Sequence, residues 1–538
     1  MNLHQHHVGI IGGGASGIFT LCSLLDLKIE EDNLLPLQIT LIEKNNMLGE
    51  GMAYRGDYTS NLLNTAAGLF SGMNDDRDFP LKNQPSFLKW LRENHAIWRQ
   101  HCPTLSPSDI TKNAYLPRCL VGVYLRSITD FYSKIAHQYN TTIHFIQDEV
   151  EDIEADLDWH FYARLTKTPP LHFSHVVLAV GGFLKKNFTS LQHTDLYFQN
   201  AWPTQTHLAK ILRCKTVGIM GTKLSALDTV GILTSHHYTG KIIMASRSGF
   251  LPSVKNMHHA YQPFLLTADT LMHLVKTSSG KLKLNDVINL VKAEMEYASH
   301  TAIDWDKLFS KKIFSLKWFQ WQIKMAEDNS TLWNSVLASA SEFFILAWHW
   351  LDRDEKIIFK NQYAFMWETY RFSMPLSTAY ELMQLVKSER LSIVSFVVEP
   401  QIKQNRFQFS GVDCVNNKSA LYEVDCLINA TGINYDVNQI ESTLIKNLLA
   451  RGQLTANSFG GIMVDFNQLT VLNERRFFVT GDLTKGDRFF TNSYLVCSGQ
   501  AAQVARSIIE DCVAELSESW KRDVPVNQIQ NRECNERM

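Results

Sequence analysis

Twice along this 538-residue chain, a short apolar run ends in a glycine-type turn and leads straight into an apolar, helix-like segment. The first copy is His7-Val8-Gly9-Ile10-Ile11, then Gly12-Gly13-Gly14-Ala15-Ser16-Gly17, then IFTLCSLLDL. The second is TVGIM, then Gly221-Thr222-Lys223-Leu224-Ser225-Ala226, within the helix-like run LSALDTVGILTSHH. A further strand-like run follows each, LQITLIEK and KIIMASRSG, and each half later closes on an apolar strand with A-[VT]-G, in HVVLAVGG and VDCLINATG. Strand, glycine turn, helix and strand in this order form a nucleotide-binding βαβ unit, and a long-period repeat of it implies two such domains. The predicted architecture is α/β, with two Rossmann-like doubly wound dinucleotide-binding domains, the second inserted in the first. Residues 1–216 begin the first domain, 217–432 form the second with a helical insert at about 255–365, and 433–538 complete the first.

The first turn has every part a dinucleotide needs. Gly12 permits the tight turn, Gly14 lets the backbone approach a pyrophosphate, and Gly17 lets helix and strand pack closely. Ala15 and Ser16 open the helix, whose N-terminal N–H groups and positive dipole end suit phosphate. Glu43, with Lys44 beside it, ends the second strand where a carboxylate can bind ribose hydroxyls. It lies further from Gly17 than the usual spacing of about 20; the polar run EEDNLLP accounts for the excess as a longer loop. The bland alternative is a glycine turn without a ligand.

Near the other end, RRFFVTGD (475–482) reads as a short strand closing on Gly481-Asp482, followed by the apolar helix SGQAAQVARSIIEDC. This order resembles the two-dinucleotide-binding flavoproteins, in which a late Gly-Asp completes an FAD site. The resemblance implies FAD on the first turn and NADPH on the second. Only Lys223 departs from the glycine pattern there. Its side chain hinders pyrophosphate approach if the loop keeps its usual path, or pairs with phosphate if the loop swings outward. Gly221 can still make the turn, with Ser225 in the helix's first turn. Arg247, after Ser246, fits a 2′-phosphate, the bland alternative being a solvated loop arginine.

LGEGMAY (48–54), NLLNTAAGLFSGM (61–73), YLPRCLVGVYL (115–125), SRSGFLP (246–252), WETYRFSMP (367–375) and FVTGDLTKGDRFFTNS are similar to a narrower group. It is the bacterial FAD-NAD(P)-binding family related to flavin-dependent N-hydroxylating monooxygenases and urate-hydroxylase-like proteins. The similarity covers most of the chain outside roughly 255–360. It implies that Leu63, Asn64 and Thr65 lie near the flavin ring and that the Val150 backbone contacts adenine. Asn64 could instead cap a turn, and Val150 could be strand core. Arg118 either reaches the cofactor or makes an ordinary ion pair.

The insert reads as two long helices, FSLKWFQWQIKMAEDN and STLWNSVLASASEFFILAWHWLDRDEK, the second capped by Ser330 or Thr331. Trp318, Trp321, Trp333, Trp348 and Trp350 make it a substrate lid, a partner surface or plain amphipathic core.

Composition removes other classes. A net charge of −2 gives no field for nucleic acid or anionic lipid. Nine scattered cysteines form neither C-x-x-C nor C-x4-C, which argues against disulfide-reductase and zinc chemistry and for a reducing cytoplasm. The glycine cluster, with no Lys or Arg before the apolar run, argues against a signal peptide or membrane span near the N-terminus, and neither is expected. His4, His6 and His7 read as a solvated tail, His258-His259 as a polar loop, and His236-His237 as a helix end; no metal is expected. No acid–base pair stands out. The function implied is an FAD-dependent, NADPH-linked monooxygenase acting on a small polar nitrogen compound, with the flavin carrying the chemistry. The alternative is an FAD-binding protein with a decayed nicotinamide site that acts by protein interaction.

Overall fold

The computed structural model describes residues 6–31, 35–70, 81–156, 160–255, 261–300, 302–309, 315–328, 330, 333–396 and 398–523. His4, His258, His259, Thr331 and Cys534 lie outside them.

The chain opens with β1 (His6–Ile11), α1 (Ala15–Glu30) and β2 (Leu37–Glu43), then reaches α2 (Cys119–Ile135) and β3 (Thr141–Gln147). Next, β4 (Val150–Ala155), β5 (Phe161–Leu165) and β6 (Leu171–Phe173) form a small antiparallel sheet, and β7 (His175–Leu178) follows. β8 (Tyr197–Phe198), β9 (Thr216–Met220), α3 (Leu224–Ser235) and β10 (Lys241–Ser246) begin the second unit. The insert supplies α4 (Ala268–Thr277), α5 (Leu284–Ser299), α6 (Trp305–Phe309), α7 (Leu316–Glu327), α8 (Trp333–Ser339), α9 (Ser341–Trp350), α10 (Arg353–Ile358) and α11 (Ala364–Arg371). After α12 (Leu376–Lys387) come β11 (Leu391–Phe396), β12 (Gln401–Lys403), β13 (Arg406–Asp413), β14 (Ser419–Val424) and β15 (Cys426–Asn429). β16 (Phe477–Val479) and α13 (Tyr494–Asp523) return to the first unit.

Two doubly wound sheets result, as the repeat predicts. The first runs β16-β7-β1-β2-β3, all parallel, and α1 and α13 pack together beside it. The second runs β12-β13-β11-β10-β9-β15-β8, with β14 paired to β13. Strands buried on both faces read as unbroken apolar runs, which is why β1, β7, β9 and β15 were visible in the sequence. The second sheet takes up the chain before residue 217, because Tyr197 and Phe198 already pair with Leu427 and Ile428. A two-residue strand has too little periodicity to be read. The two crossings between the units lie side by side, Phe183–Leu184 antiparallel to Ile433–Asn434.

Two expectations fail locally. His6 and His7 belong to β1: His6 is buried, and His7 Nε2 lies 2.8 Å from Thr40 Oγ1. Strand pairing extends further toward the N-terminus than the apolar run. The second long insert helix is three helices, broken near Ala340 and again at Asp352, whose side chain caps α10 by accepting from Glu355 N. Ser330 Oγ donates to the Met325 carbonyl and closes α7, while the two residues that lead from it into α8 lie outside the described ones. The helix end at His236 stands, with Nδ1 lying 2.9 Å from the Ile232 carbonyl. Among the described residues, no helix is long and apolar enough to cross a membrane.

Candidate functional site: two glycine turns and the cleft between them

The two turns share one backbone plan. Gly12 N–H donates to Ile42 O at 2.8 Å and Gly221 N–H to Ala245 O at 2.7 Å. Ala179 N–H donates to Ile11 O, and Ala430 N–H to Met220 O, both at 2.8 Å. Gly12 (φ 111°) and Gly221 (φ 140°) each back onto the carbonyl of that alanine, where a Cβ would sit 2.4 Å from the oxygen. Only glycine fits either place.

Beyond that point the turns diverge. Gly14 is the N-cap of α1, and Lys223, with φ −97° and ψ −172° against −75° and −171°, is the N-cap of α3. The loop therefore keeps its usual path despite the lysine. A Cβ on Gly14 would meet only Gly51 Cα, at 3.5 Å, so protein packing does not require the missing side chain and the space above it is open. On Gly17 a Cβ would lie 1.9 Å from Gly12 O, whereas Ala226 keeps its methyl in the corresponding place. Neither helix has a side-chain cap or an acid in its first turn, which leaves N–H groups at Ala15, Ser16 and Ser225 suited to phosphate.

Glu43 braces the first turn, its Oε2 accepting from Gly13 N and its Oε1 from Asn45 N, both at 2.8 Å. Lys44 follows it at the strand end. The corresponding brace in the second turn is neutral: Thr222 Oγ1 lies 2.9 Å from Ser246 Oγ and donates to Phe250 O. Arg247 is exposed next to Ser246, with no ion pair among the described residues. Val150 is buried at the start of β4, close to the Asp148 N–H that donates to Glu43 O at 3.1 Å.

The late acid folds back onto the first turn. A Cβ on Gly481 would lie 2.9 Å from Ser16 Oγ, and one on Gly182 would lie 2.6 Å from Asp482 Oδ2. Asp482 accepts from Thr491 Oγ1 at 2.9 Å, and desolvation raises its carboxyl above the ordinary aspartate range. FAD fits this donor set: an open glycine cradle, the Glu43 carboxylate at the end of β2 and a second carboxylate beside the same helix start.

Arg118 is clamped between the units. Its Nε–H donates to Leu62 O, and its two terminal nitrogens grip Asp228 of α3 at 2.8 and 3.2 Å. The resemblance left cofactor contact or an ion pair open, and the structure shows the ion pair. Asn64, two positions beyond Leu62, has its carbonyl bonded by Lys255 Nζ, while Thr65 Oγ1 reaches its Oδ1 only at 3.5 Å. The expected flavin loop is thus held by two cations.

Four cationic side chains gather around α11: Lys223 meets its Thr369, Lys255 lies near its Arg371, and Lys485 lies near its Glu368. Burial lowers the Lys255 ammonium to about 7, with Arg371 adding to the effect. It lowers Lys223 and Lys485 to about 8, partly offset by Glu368, and Arg371 to about 10. Lys223 Nζ donates to Thr369 Oγ1 at 3.1 Å and lies 5.1 Å from the Phe365 ring centre. Its side chain is therefore engaged with α11. Sequence reasoning did not single out Lys255, Arg371 or Lys485. Arg371 and Lys485 lie inside quoted motifs and Lys255 just beyond one, but a lysine in a motif carries no signal of its burial.

Paired glycine turns on two doubly wound sheets, with a late acid completing the first, define the two-dinucleotide-binding class. Residues 9–183 match a family model described as FAD-NAD(P)-binding. An uncharacterised protein of Escherichia coli, YdhS, is 24% identical over 324 residues; the match spans 56% of each chain, so about half the length of that curated relative. The fold is shared with the ornithine hydroxylase PvdA of Pseudomonas aeruginosa (14% identity, TM-score 0.54, 94% of this chain and 99% of that one). It is shared as well with the FAD-bound cadaverine monooxygenase DfoA of Erwinia amylovora (11%, 0.55, 93% and 94%). L-lysine 6-monooxygenase of Pseudomonas syringae is similar to the same degree (14%, 0.55, 95% and 100%).

Proposed function

We propose that the chain is an FAD-dependent oxidoreductase that takes electrons from NADPH and hydroxylates a small nitrogen-containing molecule. The observation that carries this reading is the return of Gly481-Asp482 onto the Ser16 end of the first turn, from the far end of the chain. Fold relatives that act on ornithine, cadaverine and lysine support the reaction class. Gly12, Gly14, Ala15, Ser16, Gly17, Glu43, Lys44, Val150, Gly481 and Asp482 hold FAD, and Asn64 lies near its ring. Gly221, Lys223, Ser225 and Arg247 hold NADPH. The flavin, when bound, supplies hydride acceptance and oxygen activation.

The chain's own part is positioning and proton handling. Arg118 and Lys255 fix the 62–64 loop. With its pKa near 7, Lys255 Nζ can hold or release a proton at neutral pH in a desolvated cleft. Burial raises the Asp482 carboxyl above the ordinary aspartate range, and Thr491 Oγ1 donates to it beside the start of α1.

A second reading has one observation in its favour: Lys223 fills the place Gly14 leaves open, which suits a nicotinamide site that has decayed. Anaerobic titration separates the two. Yellow protein bleached by NADPH supports the first, and yellow protein that neither NADPH nor NADH reduces supports the second. Colourless protein that takes up no added FAD sinks both.

A further inference from the structure

The tryptophan-rich insert is not packed solid. Within its aromatic core, among the described residues, is a cavity of about 110 Å³. Protein interiors leave few voids larger than a water, and apolar ones stay dry and take apolar guests; benzene enters one of about 150 Å³. Here the walls include Trp333, Trp348, Trp367, Phe359 and Phe489, and Lys292 is the single charged lining residue.

The cavity adjoins the segment that follows Asp482 and the helix that meets Lys223. Phe489 comes from the segment that follows Asp482, and its carbonyl accepts from Lys485 Nζ. Its φ of 64° with ψ of −60° is a conformation an aromatic residue rarely adopts. The ring is fixed there against Trp348 (centroids 5.0 Å, 27° between planes) and Trp367 (4.8 Å). Helix α11 forms the other shared wall. Met366, Trp367 and Tyr370 line the cavity, while Phe365 and Thr369 meet Lys223. One helix thus separates the cavity from the second glycine turn.

We infer that this cavity receives the apolar end of the substrate, an aromatic ring or a compact alkyl group. The substrate is then an amine bearing such a group, not a short polar diamine; this rests on the oxidoreductase reading above. Flat aromatic walls and space for about one six-membered ring select the guest. Among the described residues no acid lines the cavity and Lys292 is its one charged side chain, which keeps an ammonium end outside, toward the exposed Glu368 of α11.

The test uses the full chain loaded with FAD, following tryptophan fluorescence during titration with benzyl alcohol, phenethylamine and 1,4-diaminobutane. Saturable quenching is expected from the two aromatic probes and none from the diamine. Val291→Phe, which fills the cavity from its rim, should weaken aromatic binding at least tenfold and leave the flavin spectrum and NADPH bleaching unchanged. Leu337→Phe does the same from another wall if the first variant fails to fold. Yellow, NADPH-reducible protein with no saturable response to either aromatic probe overturns the inference, as does equal binding by a folded filled variant. Benzyl alcohol binding with no amine stimulating oxygen uptake leaves the cavity as a ligand site and counts against the oxygenation of amines.

Discussion

The two glycine turns have the same hydrogen bonds to the same sheet positions, yet one is shaped by absences and the other by substitutions. At the first, Gly14 and Gly17 carry no side chain and Glu43 supplies a charge; at the second stand Lys223, Ala226 and the neutral Ser246. Gly12 and Gly221 are what the fold itself demands, because each sits against a carbonyl of its own sheet. No such contact demands Gly14: among the described residues a Cβ there would meet only Gly51 Cα, and on the proposed reading it is FAD that needs the space. The backbone of a nucleotide turn can therefore outlast the side-chain pattern that marks it in a sequence, and a missing glycine is evidence about the ligand before it is evidence about the fold.

The largest effect should come from separating the second turn's helix from the first unit. Arg118→Ala leaves Asp228 partly buried beside Trp202 and should cost about 3 kcal/mol, read as a urea midpoint shift. Changing both partners to leucine should recover most of it. Next is Gly17→Ala, whose methyl would collide with Gly12 O. About 2 kcal/mol of destabilisation is expected with loss of bound flavin, whereas Ala226→Gly should shift stability by under about 1 kcal/mol. Equal effects at the two positions would break the comparison.

How far the sequence revealed this molecule follows the same division. Strands buried on both faces, such as β1 and β9, and glycines pressed against carbonyls leave local signatures, so both sheets and the nesting of one unit in the other were legible. Arg118 with Asp228 and Lys255 with Asn64 are contacts between residues far apart in the chain, and local sequence holds no trace of them. The insert was legible as helical but not in its breaks, since Ala340 and Leu351 look like helix residues. Its cavity was illegible for the same reason: a tryptophan that lines a void and one that fills a core have the same sequence.

The desolvated lysines give a smaller effect with a fixed sign. Above about pH 7 the folded chain releases the Lys255 proton, while the unfolded chain keeps it until near 10.5. Stability therefore rises with pH through that window, and Lys223 and Lys485, at about 8, add to the same slope. Lys255→Met should flatten part of the rise and stabilise the apo-protein at pH 6 by on the order of 2 kcal/mol, after allowing for residual solvent access. A slope unchanged by the substitution would place the proton elsewhere.

The sharpest comparison exchanges the residue that differs. Gly14→Lys puts a side chain where only Gly51 approaches, so the fold should survive while FAD affinity falls at least tenfold, about 1.4 kcal/mol, in a flavin fluorescence titration. The reverse change, Lys223→Gly, should act least. Glycine is an acceptable N-cap, and the φ and ψ at 223 already match those of Gly14. Removing the side chain opens the cradle but also frees Thr369 and takes away a nearby cation. Because the ammonium is held by α11, the steric gain should outweigh the lost charge. NADPH should then reduce the flavin with a KM lowered about threefold, under 1 kcal/mol. Lys223→Met, which keeps the bulk and removes the charge, should not show that gain. If Lys223→Gly raises KM and Lys223→Met raises it equally, the ammonium is a phosphate ligand, and the two turns bind their nucleotides by different chemistry on one backbone.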